Sequence, residues 1–210
     1  MSAENILTVE NISKEYSDEV GYRINLLKNV SFTVEKGSVT SIIAPTGSGK
    51  SSLLKILAGL EEPTSGEIKQ SNGINNILIP SKPSSFPWMN VRENVKFGLT
   101  EIDESKVNDI IKLVGLDGYE DHVPHNKSYG FRFRISLATS LIRNPHILIL
   151  DEPFNEMDAT TKGEVYLLIK SVNEKLNTTI ILGTTNITEA IFLSDKVCLM
   201  KKVPVKLLMN

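Results

Sequence analysis

The stretch that decides the fold is VTSIIAPTGSGKSSLLKILAGL, residues 39 to 60. An apolar run typical of a buried strand comes first, a loop of small residues follows it, and a segment of helical character comes last. Strand, glycine loop and helix in this order open a phosphate-binding α/β unit. Further apolar runs, such as HILIL and TTIILG, alternate with segments of helical spacing. We therefore predict an α/β fold with a mostly parallel sheet.

The loop in this stretch predicts a phosphate-binding site. Small residues let backbone N–H groups point inward around phosphates, and the following helix contributes its positive N-terminus. We expect Lys50 to reach the terminal phosphates and the Ser51 hydroxyl to bind Mg2+. The candidate nucleotide-binding residues here are Ala44, Pro45, Thr46, Gly47, Ser48, Gly49, Lys50, Ser51 and Ser52. Such a loop by itself fits kinases, GTPases, helicases and transporters alike.

Two carboxylates supply the second half of the predicted site. Asp151 and Glu152 follow ILIL, a continuous apolar run typical of a strand that is buried on both faces. Ligands of open parallel sheets bind at the carboxyl ends of the strands. We expect Asp151 to hold the magnesium ion and Glu152 to activate an attacking water as general base.

The charge balance bears on HNKSYGFRFR, residues 125 to 134, where aromatic side chains alternate with cations as in surfaces that bind nucleic acid. The 210 residues include 23 Lys and Arg against 25 Asp and Glu, a net charge of -2. This balance gives no general attraction to polyanions, so we expect no nucleic-acid partner. The longest apolar runs are too short to span a bilayer, so work at a membrane would need a second chain.

Several segments, in a fixed order, resemble those of ATP-binding cassette (ABC) ATPases. LTVENISKEY resembles the first strand, which ends at an adenine-stacking aromatic residue, here Tyr16. FPWMNVRENVKFGL resembles the segment after the Q-loop in importer ATPases of the nitrate, sulfonate and taurine type. ILILDEPFNEMDATTK resembles the Walker B and D-loop segment, and ITEAIFLSDKVCLM resembles the final helix and strand. The resemblance covers essentially the whole chain.

This resemblance implies a P-loop NTPase (RecA-like) core with an antiparallel β subdomain and an inserted helical subdomain. Residues 1–210 would form a single ABC ATPase domain, with 1–79 and 145–210 as the nucleotide-binding core and 80–144 as the helical subdomain. The implied cofactors are ATP and Mg2+. The implied partners are a membrane-spanning permease subunit and a second ATPase subunit, in a homodimer or a heterodimer. The chain would act peripherally at the cytoplasmic face of the cell membrane.

The sequence departs from the family at three catalytic motifs. The Q-loop glutamine falls at Ser81 and the H-loop histidine at Thr185, so the catalytic set implied by the resemblance is Glu152, Thr185 and Ser81. Ser is too short to span the gap of Gln, and Thr cannot carry an imidazolium charge. We therefore expect weak hydrolysis by the chain alone. The alternative is a catalytically impaired regulatory or structural module that pairs with another ATPase.

The third departure lies in the slot of the family's Leu-Ser-Gly-Gly-Gln signature, which caps the ATP held by the partner subunit. Here it reads Lys127-Ser128-Tyr129-Gly130-Phe131, followed by the predicted helix RFRISLATSLIR. Ser128 and Gly130 are retained and would contact the partner's ATP. Tyr129 replaces a Gly whose missing side chain permits close backbone approach. A bulky ring in this slot would either block a tight ATP sandwich or repack against the partner.

Overall fold

The computed structural model of the protein describes residues 4–17 and 23–201. The stretches 1–3, 18–22 and 202–210 of the predicted domain lie outside the described residues. Within the described ranges the strands are β1 (Asn5–Ser17), β2 (Arg23–Glu35), β3 (Val39–Ile43), β4 (Ser65–Gln70), β5 (Asn76–Ile79), β6 (Ile147–Asp151), β7 (Thr179–Thr184) and β8 (Lys196–Leu199). The helices are α1 (Lys50–Leu57), α2 (Val91–Lys96), α3 (Glu104–Leu113), α4 (Tyr129–Leu141), α5 (Ala159–Leu176) and α6 (Ile187–Leu193).

The central element is a five-stranded sheet with the order β5-β6-β7-β3-β8. Every neighbouring pair in it is parallel, which confirms the predicted α/β class with a mostly parallel sheet. All residues of β6 and β7 are buried. Their near-continuous apolar sequences follow from this position, because strands covered on both faces need no polar side. The edge where β3 and β6 end is the one on which ligands of such sheets bind.

A second sheet is antiparallel, with the order β2-β1-β4. Leu7, Val9 and Ile12 of β1 share a buried core with Leu53 of α1 and Ile149 of β6. Helix α1, which follows the phosphate loop, is therefore packed between the two sheets. The antiparallel β subdomain is confirmed, but β4 and β5 were not predicted individually because their residues are mostly partly or fully exposed.

Helices α2, α3 and α4 form the segment inserted between β5 and β6. Val107 of α3 and Phe133 of α4 belong to a core that continues to Leu148 of β6 and Val165 of α5. The inserted helices thus pack against the sheet through one continuous apolar cluster. In the part of the chain that the structure describes, no helix is both long and apolar enough to cross a bilayer.

The start of α4 differs from the prediction. The sequence pattern places Lys127–Phe131 before the helix, yet α4 begins at Tyr129, and Ser128 is its N-cap. The Ser128 side chain accepts a hydrogen bond from the N–H of Phe131 at 3.3 Å. A Ser at the N-cap satisfies one of the unpaired donors of the first turn, which explains where the helix starts. Tyr129 and Gly130 are consequently helical residues.

Candidate functional site

A cavity of about 390 Å3 opens at the sheet edge where β3 and β6 end. The phosphate loop, the Walker B carboxylates and the Q-loop position all contribute to it. Its lining residues are Leu26, Pro45, Thr46, Gly47, Ser48, Gly49, Lys50, Ser51, Ser52, Ser81, Asp151, Glu152 and Asn155. The structure therefore brings together most of the predicted phosphate and catalytic residues. Ala44, the first residue of the predicted loop, is buried and does not line the cavity.

The loop conformation depends on its glycines. Gly47 and Gly49 have φ angles of 74° and 89°, in the left-handed region that favours glycine. Gly49 is the N-cap of α1, and a Cβ atom on it would lie 2.7 Å from the side chain of Leu27. The Ser48 hydroxyl is buried and has no hydrogen-bond partner within the described residues. Buried polar groups are normally satisfied, so an unpaired hydroxyl in this cavity fits a ligand with acceptor oxygens.

Lys50 forms two buried ion pairs across the cavity. Its Nζ lies 3.3 Å from Oδ1 of Asp151 and 2.7 Å from Oε1 of Glu152. The three side chains are only 7%, 9% and 10% exposed. Charges at this depth need partners, and here the ammonium group and the carboxylates supply them to one another. If a phosphate paired with Lys50 instead, both carboxylates would need another cation as a partner.

Glu152 is held in an unusual conformation. Its φ angle is 47°, a left-handed value that is uncommon for a residue with a side chain. Its N–H donates to the carbonyl of Gly183 on the neighbouring strand β7 at 2.8 Å. Its Oε2 atom is buried and has no hydrogen-bond partner among the residues that the structure describes. A carboxylate that binds a water molecule or a cation needs an oxygen that is free to accept, and Oε2 of Glu152 meets this requirement.

The donor set fits Mg2+. Magnesium in phosphate-transfer sites takes one or two carboxylates, a hydroxyl, phosphate oxygens and water. The carboxylate of Asp151 and the hydroxyl of Ser51 line the same cavity, and Glu152 carries the unpaired buried oxygen. Ser51 and Asp151, the two residues predicted to bind the ion, thus line one cavity, and Glu152, predicted as the general base, is a third candidate ligand.

Gly183 of β7 is a site residue that was not predicted from the sequence. A Cβ atom on it would lie 3.3 Å from Cδ of Lys50 and 2.5 Å from the side chain of Leu54. The aliphatic part of Lys50 therefore crosses β7 directly over this glycine on its way from α1 to the carboxylates. The available signal was a single Gly inside a buried apolar strand, which often marks a close approach. Leu26 and Asn155 also line the cavity without a sequence signal that we can identify.

Tyr16, the predicted adenine-stacking residue, lies near the phosphate loop. Its hydroxyl is 3.2 Å from that of Ser52 and donates a hydrogen bond to Glu61. Lys14 forms an ion pair with Glu61 at 3.0 Å, and its Nζ lies 5.1 Å from the centroid of the Tyr16 ring. Burial acts to raise the pKa of Glu61, but the hydrogen bonds from Tyr16 and Lys14 outweigh it and lower this pKa. The carboxylate therefore anchors an exposed aromatic ring next to the phosphate loop.

Besides Ala44 and Tyr16, three more predicted residues lie outside the lining of this cavity. Thr185 is exposed after β7, whereas the preceding Thr184 is buried and donates to Glu189 at 2.5 Å. Ser128 is exposed at the N-cap of α4. Gly130 is buried, and a Cβ atom on it would collide with Cγ2 of Thr161 in its own chain. The cavity of one chain thus gathers the phosphate loop, Ser81, Asp151 and Glu152 without Thr185 or the signature slot.

The sequence of this chain is similar to those of known ABC transporter ATPases. The sequence model described as "ABC transporter" matches residues 27–155. The aliphatic sulfonates import ATP-binding protein SsuB of Bacillus cereus is 36% identical over 212 residues, covering 96% of this chain and 83% of the relative. The taurine import ATP-binding protein TauB of Pelagibacter ubique is 31% identical over 210 residues, covering 94% of this chain and 79% of the relative.

Solved structures agree with the fold. The structure of cbiO1 from Clostridium perfringens, part of the ABC transporter complex cbiONQ, has a TM-score of 0.82 at 28% identity, and the alignment covers 97% of this chain and 88% of that one. The dimeric structure of MJ0796, a bacterial ABC transporter cassette, has a TM-score of 0.79 at 25% identity, with 97% and 99% covered. These matches confirm the P-loop NTPase fold and the resemblance stated from the sequence. The chain belongs to the ABC transporter family, among its ATPase subunits.

Proposed function

We propose that this chain is the ATP-binding subunit of an ABC importer, which couples Mg-ATP binding and weak hydrolysis to a conformational change in a separate membrane-spanning permease. The observation that carries the proposal is the convergence of Lys50 with the two buried carboxylates at the phosphate loop. The import direction is supported by the names of the sulfonate and taurine relatives. The subunit would act at the cytoplasmic face of the cell membrane.

This proposal gives a distinct task to each of the main predicted site residues. The backbone N–H groups of the phosphate loop surround the phosphates, and Lys50 exchanges its carboxylate partners for the terminal phosphates. Ser51 and Asp151 hold Mg2+, which when bound neutralises charge on the phosphate oxygens. Glu152 accepts a proton from the attacking water through its unpaired oxygen. Tyr16 packs against the adenine.

Pairing would complete the site. Ser128 and Gly130 would meet the ATP of a second ATPase subunit, and the dimeric cassette structure of a relative supports such pairing. In a homodimer, both sites would combine Ser81, Thr185 and the altered signature. In a heterodimer, this chain's phosphate loop would face a partner's signature, while its own signature slot would cap the partner's site.

A catalytically impaired nucleotide-binding module is the second candidate, and two observations favour it. Ser81 brings only a short side chain to the cavity, and Thr185 is exposed outside the lining. Losing one preorganised catalytic contact costs about 2.7–4 kcal/mol of barrier, roughly a hundred- to a thousandfold in rate. The buried and unpaired Glu152 oxygen argues for retained chemistry.

Direct ATP binding tests the site. Replacing Lys50 with Ala removes a charged partner of the phosphates, worth about 1.5–3 kcal/mol, so affinity should fall about ten- to a hundredfold. Lys55→Ala is the matched control, because Lys55 lies exposed on the same helix. Titration calorimetry with Mg-ATP measures both variants. Equal affinity of Lys50→Ala and the unchanged protein would refute the site assignment.

Turnover separates the two candidates. An importer subunit should hydrolyse ATP slowly alone and faster when its permease partner is present in reconstituted membranes. The module should bind ATP and show no stimulation. The steady-state rate of phosphate release, with Glu152→Gln as the inactive reference, measures the difference. Rapid turnover by the chain alone would contradict the expected loss from Ser81 and Thr185.

A further inference from the structure

Tyr129 points into its own chain. It is only 8% exposed and belongs to the apolar cluster that joins the inserted helices to the central sheet. The guanidinium carbon of Arg132 lies 5.7 Å from the centroid of its ring. The side chain in the signature slot is therefore covered by its own subunit. It does not stand on the surface that a partner's nucleotide would meet.

The hydroxyl of Tyr129 ends at the cavity of the same chain. It donates a hydrogen bond to the backbone carbonyl of Ser81, 48 residues away in sequence. Ser81 lines the cavity together with Lys50 and Glu152. Burial, followed by the charge of Glu156, raises the pKa of Tyr129 to about 12. A phenol of ordinary pKa is already protonated at physiological pH, and this shift keeps the Tyr129 hydroxyl a donor at more alkaline pH as well.

Ser81 makes few other interactions that would fix its position. The residue is exposed, follows β5 and lies outside regular structure. Within residues 4–17 and 23–201, the main chain of Ser81 has one hydrogen bond outside helices and strands, which is the bond that its carbonyl accepts from Tyr129. A serine side chain is short, so what it presents to the cavity is set by where its backbone stands. The Tyr129 hydroxyl is thus the hydrogen-bond partner that the structure gives to the backbone of Ser81.

We infer that Tyr129 is a positioning residue for the nucleotide cavity of its own chain, acting by holding the Ser81 segment at the edge of that cavity. This role needs no partner subunit. It differs in that respect from the proposed contact of the signature slot with a partner's ATP. The inference rests on the proposed function, since it takes the cavity to bind ATP.

The test uses Tyr129→Phe in the full chain, which removes the hydroxyl and keeps the buried ring. Tyr119→Phe is the matched control, because Tyr119 is an exposed tyrosine of the same inserted segment. Affinities for ADP and for a non-hydrolysable ATP analogue are measured at a protein concentration where light scattering shows monomers. NMR order parameters of the Ser81 and Lys82 amides are measured in parallel, with the amides of β6 as the rigid reference.

The expected result is a loss of analogue affinity in Tyr129→Phe of about two- to tenfold, the size of one hydrogen bond, with ADP affinity changed less than about twofold. The order parameters of the Ser81 and Lys82 amides should fall, because the segment moves more freely, while those of β6 stay unchanged. A variant that merely loosens the core would shift both nucleotides and β6 together. In a chain that binds nucleotide, the inference holds only if the affinity ratio and the order parameters of the Ser81 segment both change in monomers, and any other combination overturns it.

Failure of the proposed function would look different. In that case the unchanged protein binds neither nucleotide, and the order parameters alone then decide whether Tyr129 holds Ser81. Lower order parameters at Ser81 and Lys82 in Tyr129→Phe would support the hydrogen bond as the restraint. Unchanged order parameters would overturn it.

Discussion

Replacing Lys50 with Met should destabilise the nucleotide-free protein strongly. Lys50 is the shared partner of Asp151 and Glu152, and all three side chains are buried. Met keeps most of the aliphatic stem that crosses Gly183, so packing over β7 changes little. What disappears is the cation, which leaves two carboxylates side by side in a water-poor cavity.

The magnitude follows from that geometry. Removing one partner of a buried ion pair costs about 3–5 kcal/mol, because the remaining charge is left uncompensated. A domain of this kind has a total stability of about 5–15 kcal/mol, so the variant should fold but with a much reduced margin. Lys55→Met, an exposed change on the same helix, should stay within about 0.5 kcal/mol. The double variant Lys50→Met with Glu152→Gln removes one of the stranded charges and should recover part of the loss.

Urea unfolding followed by far-ultraviolet circular dichroism measures these free energies, in EDTA and without nucleotide so that no cation replaces Lys50. Equal slopes against urea show that the compared variants unfold the same surface. A loss below about 1 kcal/mol in Lys50→Met would show that the carboxylates are already compensated by solvent. A double variant no more stable than Lys50→Met would refute the reasoning equally, since the stranded charge would not be the cause.

Two further predictions concern the signature slot and its surroundings. Gly130→Ala should lower the free energy of unfolding by about 1–3 kcal/mol, because the new Cβ overpacks against Cγ2 of Thr161. Adding Thr161→Ser removes that Cγ2 atom and should restore most of the loss. Urea unfolding measures both variants. Burial raises the pKa of Tyr129 to about 12. Burial, together with the nearby charge of Glu189, also raises the pKa of Tyr166 to about 12. Their stabilising contribution is therefore complete below the unfolded value of about 10 and is lost as the pH rises through the folded value. A spectrophotometric titration of the tyrosinate ion should show one late tyrosine fewer in Tyr166→Phe than in the unchanged protein. Ionisation of every tyrosine by about pH 10.5, before unfolding, would contradict the burial argument.

The parts of the fold that the sequence predicts are those set by local physics. Buried strands such as β6 must be continuously apolar, and the phosphate loop must be small and glycine-rich, so both can be recognised without coordinates. Strands β4 and β5 carry no comparable pattern, because most of their residues are partly or fully exposed. Their place depends on pairing with β1 and β6, which are distant in sequence.

The site divides in the same way. Asp151 and Glu152 were predictable because the carboxyl edge of a parallel sheet gathers the residues that end its strands. The mutual pairing of Lys50 with both carboxylates was not predictable from either motif alone. It depends on how far the side chain reaches from α1 across β7, and only the close approach at Gly183 makes that path possible.

The signature slot shows why a position within a motif does not determine what its side chain contacts. In the sequence, Tyr129 and Gly130 fall where the family meets a partner's ATP. In the fold, α4 begins one residue after Ser128, which directs the Tyr129 side chain toward Ser81 and sets the Gly130 backbone against Thr161. A glycine at 130 is thus required by packing within one chain, whether or not a partner approaches it. The mutation of either residue therefore tests the subunit itself first, and effects on a dimer can be attributed to the partner contact only after Thr161→Ser and Tyr129→Phe have been measured in monomers.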